Sequence, residues 1–295
     1  MYLKVLGAGA GGGLPQWNCG CRNCVDARAG RIPALTQSSL AVSVEGRSWA
    51  VLNASPDIRQ QCALTPELAP TALRESPLKS VVLTNGDIDH IAGLLTLREK
   101  TAFTVYATAQ TLDILAQNSV FRVLDPDLVA RQPITLNTPF APLPGLEVTA
   151  FAVPGKVALF LEDGEPDTQA MGEQTVGLRL AANGRVGYYI PGCATVPESL
   201  RARLAEADLL LFDGTVWQND EMASTKTGTK TGARMGHIAM DGPEGSIARL
   251  ADLTARRVFV HINNTNPALQ PAGPERAALT RAGWEVAFDG MEIAL

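Results

Sequence analysis

Residues 80–99 read SVVLTNGDIDHIAGLLTLRE. The stretch opens with apolar, β-branched residues from Ser80 to Thr84 and passes through a polar turn from Asn85 to Asp89. Apolar residues then recur at Ile91, Leu94 and Leu95, the spacing of one helix face. The expected unit is a strand, a tight turn and a helix over His90–Glu99, with Asp87, Asp89 and His90 gathered at the turn. Such residues have a plain use, since Asp and His at a helix start cap its free N–H groups and meet its dipole. The remaining histidines point further. The chain has only three, His90, His237 and His261. His261 ends the apolar run RRVFVHI and enters NNTNP, and His237 follows a polar loop in RMGHIAM, so neither lies in an ordinary helical core stripe.

Working outward, short apolar or alternating runs recur at YLKVL, SLAVSV, WAVLN, FTVYA, LEVTAFAV, TVGLRL, VGYYI, DLLLF, RVFVHI and WEVAF, punctuated by Gly, Pro, Asn and Asp. They read as strands. Helical segments are fewer: besides His90–Glu99, they are Leu112–Asn118, Glu198–Ala207, Gly245–Leu253 and Glu275–Ala282. Strands partly in hairpin succession and partly separated by helices predict an α/β layered sandwich rather than a purely parallel doubly wound sheet. No linker, low-complexity block or repeat divides the chain, so one domain over residues 1–295 is expected. With 46% hydrophobic residues the chain can bury a large core, and with 19% charged residues and a net charge of −5 it has no field to draw nucleic acid or an anionic membrane. No apolar run reaches spanning length and the start lacks a signal-peptide pattern, so a cytoplasmic protein without membrane insertion is expected.

Three of the five cysteines, Cys19, Cys21 and Cys24, sit in CGCRNC. C-x-C-x2-C spacing in a loop can bring three thiolates around one small tetrahedral ion, and structural zinc is the first choice over an iron–sulfur cluster. The fourth donor is open between Cys62, a histidine, an Asn or Asp side chain and water. Gly7, Gly9 and Gly12 after YLKVL fit the dinucleotide pattern G-x-G-x-x-G, but Pro15 and the cysteines follow where its helix should run. A tight glycine turn is the better reading.

Two imidazoles and one carboxylate with open positions suit non-haem Fe(II) and O2 chemistry, and Asp89, His90 and His261 are the candidates. His237 is a candidate for a third ligand or for an acid–base residue, with Asp213 in LLLFDGT to orient it. The loop STKTGTKTGARMGH places Lys226, Lys230 and Arg234 where they would meet a substrate carboxylate or phosphate, or else stay solvated. Arg59 and Lys156 are single charges near turns and weaker candidates of the same kind.

SVVLTNGDIDHIAGL resembles the strand–loop–helix of the metallo-β-lactamase superfamily, whose usual motif is T-H-x-H-x-D-H. Asn85 and Asp87 take the two early histidine positions, while Asp89 and His90 keep the last two. In typical hydrolases of that fold the early histidines hold one zinc of a pair, so their loss argues against a paired-zinc hydrolysis. YYIPGCAT resembles the strand end that carries a bridging aspartate, with Cys193 in its place. VPGKV occupies the region of the middle histidine, and His261 matches the last histidine ligand.

Longer strings resemble the protein B family of pyrroloquinoline quinone (PQQ) biosynthesis over essentially the whole chain: GAGAGGGLPQWNCGCRNC, TQSSLAVS, LNASPDIRQQ, LTNGDIDHIAGLLTLRE, YIPGCA, LFDGT, GTKTGARMGHIAM and VFVHINNTNP. The resemblance implies an αββα metallo-β-lactamase sandwich and a role in making the quinone from a Glu and a Tyr of a precursor peptide, alongside other PQQ-pathway enzymes. The reaction it implies is iron- and O2-dependent hydroxylation of the tyrosine ring of a Glu-Tyr-derived intermediate. Asp87 and Cys193 become further candidate ligands to the Fe(II). A related phosphodiesterase branch closes the same cysteine cluster around structural zinc with the residue three positions after the last histidine ligand, here Asn264. The alternatives are a non-catalytic carrier or transport-associated protein for PQQ or its precursor, and a zinc-dependent hydrolase of a peptide or phosphoester.

Overall fold

The alternation of the strands splits their side chains between two cores. Leu40, Val42, Ala50, Leu52 and Val82 face one apolar cluster, while their neighbours Ala41, Trp49, Val51, Val81 and Leu83 face another. A strand buried on both faces needs a layer on each side, which is why these segments read as nearly continuous apolar runs. In the computed structural model, which describes residues 1–295, those layers are two sheets packed face to face with helices outside both.

The first sheet holds β1 (Tyr2–Gly7), β2 (Ser39–Ser43), β3 (Trp49–Leu52), β4 (Leu78–Val82), β5 (Phe103–Thr108), β6 (Val129–Ile134) and β14 (Glu292–Ala294), in the order β14-β1-β2-β3-β4-β5-β6. The second holds β7 (Pro139–Leu143), β8 (Leu146–Ala152), β9 (Val176–Ala182), β10 (Arg185–Ile190), β11 (Leu209–Asp213), β12 (Arg256–Val260) and β13 (Trp284–Val286), in the order β13-β12-β11-β10-β9-β8-β7. Strands β3 to β6 run parallel, as do β10 to β13, and the other pairings are antiparallel. The helices are α1 (Arg22–Arg28), α2 (Ile58–Leu64), α3 (Ile88–Ile91), α4 (Ala109–Gln117), α5 (Glu198–Leu204), α6 (Glu221–Ser224), α7 (Gly232–Met235), α8 (Ser246–Arg249) and α9 (Pro274–Arg281). Ile58, Ile91, Ile114 and Leu115 cover the outer face of the first sheet, and Leu200, Leu204 and Leu279 belong to the core of the second. This is the expected αββα sandwich. No helix is long and apolar enough to cross a membrane.

The differences from expectation have local causes. Strands β6 and β7 carry Pro133, Pro139 and Pro142 and were not expected; both lie at sheet edges, where a missing N–H costs no ladder bond. The segment expected as a helix over His90–Glu99 is one α-helical turn, α3, followed by a 3-10 stretch over Ala92–Arg98. Its backbone is docked elsewhere: Ala54 N–H donates to the His90 carbonyl at 2.8 Å and Gly93 N–H to the Ala54 carbonyl at 2.9 Å. A Cβ on Gly93 would lie 2.1 Å from the Ser55 carbonyl oxygen, so only glycine permits the approach. The cysteine cluster is not wholly loop, because Cys21 precedes and Cys24 sits within α1.

The parallel strands set up the site. Asp213 at the end of β11 pairs in register with Val260 at the end of β12, which places Asp213 beside His261. Ligand-binding groups collect at the carboxyl ends of such strands. The loop after β4 brings Asp89 and His90 to the same place from the first sheet.

Candidate metal centre

One oxygen of Asp89 and one ring nitrogen each of His90 and His261 lie within 4.8 Å of one another. Asp89 Oδ2 is 3.1 Å from His261 Nε2 and 3.8 Å from His90 Nε2. Ligands bound at about 2.1 Å to one ion lie roughly 3–3.5 Å apart, so the trio has the dimensions of a shared site. His90 Nε2 is buried and has no hydrogen-bond partner, which suits a lone pair kept for a cation. Burial holds the His90 imidazolium well below its usual range, to about 4, against the pull of Asp89, so the ring is neutral. Burial opposes ionisation of Asp89 and His261 too, but their mutual contact outweighs it: Asp89 is held well below the usual carboxylate range, and His261 is raised by Asp89 with Asp213 and Asp87. The side chain of Asp87 does not cap the helix turn that follows it, contrary to the plain reading of D-x-D-H.

Each imidazole is held from behind. Nδ1 of His90 lies 2.7 Å from Asn85 Oδ1, and Nδ1 of His261 lies 2.8 Å from Thr215 Oγ1. An N–H on each Nδ1 leaves each Nε2 as the ligand atom, the arrangement by which outer groups fix the tautomer of a metal-binding histidine. Thr215 in turn donates to Asp213 Oδ1 at 2.7 Å. The buried Asp213 carboxylate also accepts from the backbone N–H groups of Cys193 and Thr215 and from His237 Nδ1 at 2.7 Å. Burial opposes its ionisation, yet His237 keeps it below the usual range. With all four contacts made to donors, Asp213 is placed to orient His237, although one atom each of Asp213, His237 and His261 also lie within 4.8 Å of one another, a second group with the dimensions of a cation site.

Ala10, Gly11, Asn85, Asp87, Asp89, His90, Lys156, Leu159, Gly192, Thr215, Met222, Lys230, Met235, His237, His261 and Asn263 line a cavity of about 260 Å³ at this centre. The glycine turn supplies one wall, and three of its N–H groups are engaged: Gly9 donates to Thr36, Ala10 to Ile262 and Gly12 to Gln37.

Other candidate residues fall elsewhere. Cys193 is outside the donor cluster, because its Sγ lies 2.9 Å from the Thr195 carbonyl, and burial pushes its thiol far up, away from the thiolate a metal needs. Asp87 reaches the cavity, but its Oδ1 accepts from the Leu159 N–H at 3.2 Å. Lys226 lines a different cavity, with Cys19 and Thr227. Arg234 turns to Glu162 and Glu165, at 3.0 and 2.6 Å. Arg59 is exposed on α2, whereas Lys230 and Lys156 do line the centre. Asn85 and Thr215 were not foreseen as orienting residues; the only hint was their place in LTNGD and LFDGT.

The cysteine cluster forms a second donor set. The terminal amide atom of Asn264 lies 3.2, 3.5 and 3.3 Å from the sulfurs of Cys19, Cys21 and Cys24. A tetrahedral zinc with bonds of about 2.3 Å to sulfur and 2.0 Å to oxygen has S···O edges of about 3.5 Å, so three thiolates and the Asn264 carboxamide oxygen, brought round by an amide flip, fit the ion. Cys62 is remote from this cluster, in a groove with Leu68 and Phe103.

Comparison with known proteins gives the arrangement its relatives. Residues 48–262 match the beta-lactamase superfamily domain model. Coenzyme PQQ synthesis protein B of Ruegeria pomeroyi is 58% identical over the full length of both chains. The chain belongs to the coenzyme PQQ synthesis protein B family of the beta-lactamase superfamily. The synthesis protein B of Rhizobium meliloti is likewise 58% identical, over 100% of this chain and 98% of its own. The crystal structure of Zn(2+)-bound PqqB from Methylobacterium extorquens matches with a TM-score of 0.99 at 55% identity, each chain covered completely. A diphosphatase of the PhnP family, 19% identical with a TM-score of 0.71 over 100% of this chain and 97% of its own, shares the fold with the synthesis protein B family.

Proposed function

We propose that this chain acts in PQQ biosynthesis as an iron- and O2-dependent hydroxylase of the tyrosine ring of a Glu-Tyr-derived intermediate. The observation that carries the reading is the donor set itself: two neutral-capable imidazoles and one carboxylate, with Asn85 and Asp87 where a paired-metal hydrolase has histidines. Asp89, His90 and His261 would hold the ion, and Fe(II) there supplies the redox chemistry by which O2 reacts with an aromatic ring. Ring hydroxylation puts one oxygen atom of O2 on the ring and reduces the other to water, with two electrons from an external reductant.

The protein's own part is positioning and proton handling. His237, held through Nδ1 by Asp213, presents Nε2 as the group that takes a proton from the phenol and returns it. Lys230 meets a substrate carboxylate at the cavity wall. Leu159 and Met222 give the ring an apolar surface and exclude water. A site at Cys19, Cys21, Cys24 and Asn264 would hold structural zinc. Other enzymes of the pathway would supply the intermediate.

The test is to load the protein with iron under anaerobic conditions, then add O2, a reductant and Glu-Tyr or its cross-linked form, and measure product mass. Gain of one oxygen on the tyrosine is expected, and His90→Ala should abolish it while the protein still melts cooperatively. Full turnover by that variant would remove the iron assignment. A second reading, a zinc-dependent hydrolase, is favoured by the zinc in the crystallised relative, and hydrolysis without O2 that needs Zn²⁺ would select it. Stoichiometric binding of the quinone without conversion would select a carrier.

A further inference from the structure

Glu162, in the connection between β8 and β9, is half-buried with its side chain only 8% exposed, and two cations lie on it. Lys156 Nζ is 2.8 Å from its Oε1 and Arg234 Nη2 is 3.0 Å from its Oε2. Arg234 has a second carboxylate in Glu165, but that side chain is 85% exposed and its charge is screened by water. Glu162 is therefore shared between two cations, with Asp87 as the other carboxylate whose charge Lys156 feels. Lys156 is the member on the wall of the metal cavity; Glu162 and Arg234 stand behind it. Its side chain is only 11% exposed. The ammonium is ion-paired with Glu162 and donates to the Val157 carbonyl at 3.3 Å, while Glu162 Oε1 accepts no hydrogen bond, so the ammonium keeps N–H capacity that no acceptor in the protein uses. Asp87, on the same wall, makes no ion pair with it and accepts instead from Leu159.

We propose that Lys156 anchors a carboxylate subsite of this cavity, whose ligands are aromatic amino-acid derivatives with a free carboxylate. The identification of that carboxylate with the Glu-Tyr-derived substrate rests on the function proposed above. The device is a shared counter-charge. An incoming carboxylate takes the spare N–H of Lys156, Glu162 keeps Arg234, and no charge in the cluster is left without an opposite. Lys230, on the same wall and in no ion pair, offers a second cation to a ligand with two carboxylates.

Equilibrium binding by calorimetry to the iron-loaded protein, kept anaerobic so that nothing turns over, tests this. The ligands are Glu-Tyr and its C-terminal amide, and tyrosine and tyramine. Wild type should prefer each acid to its uncharged partner. Lys156→Met, which keeps the stem that packs on Gly236, should bind the acids about 10- to 100-fold more weakly and the amide and amine unchanged. Lys156→Arg should retain most of the preference, and Glu162→Gln should bind the acids at least as tightly as wild type. If Lys156→Met melts early, Lys156→Gln replaces it. Equal binding of the acids by wild type and the Lys156 variant, or equal loss of acid and amide, overturns the subsite. If wild type ignores Glu-Tyr but binds tyrosine in a Lys156-dependent way, the subsite stands and the substrate proposed above falls.

Discussion

His90 and His261 present the same nitrogen to the cavity because a neutral oxygen holds the other one, Asn85 Oδ1 in one case and Thr215 Oγ1 in the other. Thr215→Val keeps the shape and removes the hydroxyl, so His261 loses its tautomer lock; iron or cobalt affinity should fall about 10- to 100-fold, measured by competition with a chelator, and Thr215→Ser should restore it. Unchanged affinity in the valine variant would mean that packing alone orients the ring. At this scale the convergence of Asp89, His90 and His261 was legible because histidine is so scarce here, with three in the chain and two of them flanking strand ends and polar turns. Thr215 was not legible, because its partner lies 46 residues further on and only the β11–β12 register brings them together. Cys193 misled for the opposite reason. Its position in YYIPGCAT was apt, but rotation of the side chain toward Thr195 is a matter of local backbone that spacing does not encode.

Among the elements, the segment from Cys19 to Arg28 ties a loop and a helix to the strand end that carries His261. Asn23 donates to the carbonyls of Asn264 and Asn266 at 3.0 and 2.8 Å, beside the convergence of the three sulfurs on Asn264. Cys21→Ser should lose one tightly held zinc per chain, read by metal analysis, and lower the melting temperature, since a closed thiolate site lends its binding energy to the fold. A variant with undiminished zinc would exclude Cys21 as a ligand. The close cysteine spacing was readable directly, whereas α1 was not, being seven residues long with no side-chain cap. The 3-10 stretch after α3 was hidden likewise, because Ile91 and Leu94 fall inward in either geometry and what decides between them is the docking of Gly93 on Ala54, set by a distant segment.

For the molecule as a whole, the layered sandwich was legible from the strand runs and their punctuation, and the edge strands were obscured by their prolines. Global stability carries a pH signature at Glu221, the first residue of α6, which is buried and accepts from Trp217 N–H and from Thr265 Oγ1 in the loop after β12. Burial pushes its carboxyl up to about 7 despite those donors. The folded state thus holds this proton more firmly than the unfolded chain, so the contribution is fully present below the ordinary carboxyl range, around 4.5, and is lost as pH rises through about 7. Glu221→Gln should flatten that decline and gain on the parent by about 2 kcal/mol near pH ~8 relative to pH ~5, measured by urea unfolding at both. An identical slope in both proteins would place the titration elsewhere. His261 sits at φ +54°, a left-handed conformation that a residue with a Cβ adopts only when its surroundings enforce it. Asp89 and His90 come with their own turn, but the third donor arrives from the opposite sheet with its backbone already bent. A cradle made of all three donors thus exists only once the two sheets have closed on each other, so an ion held by the trio would bind the assembled sandwich rather than seed it.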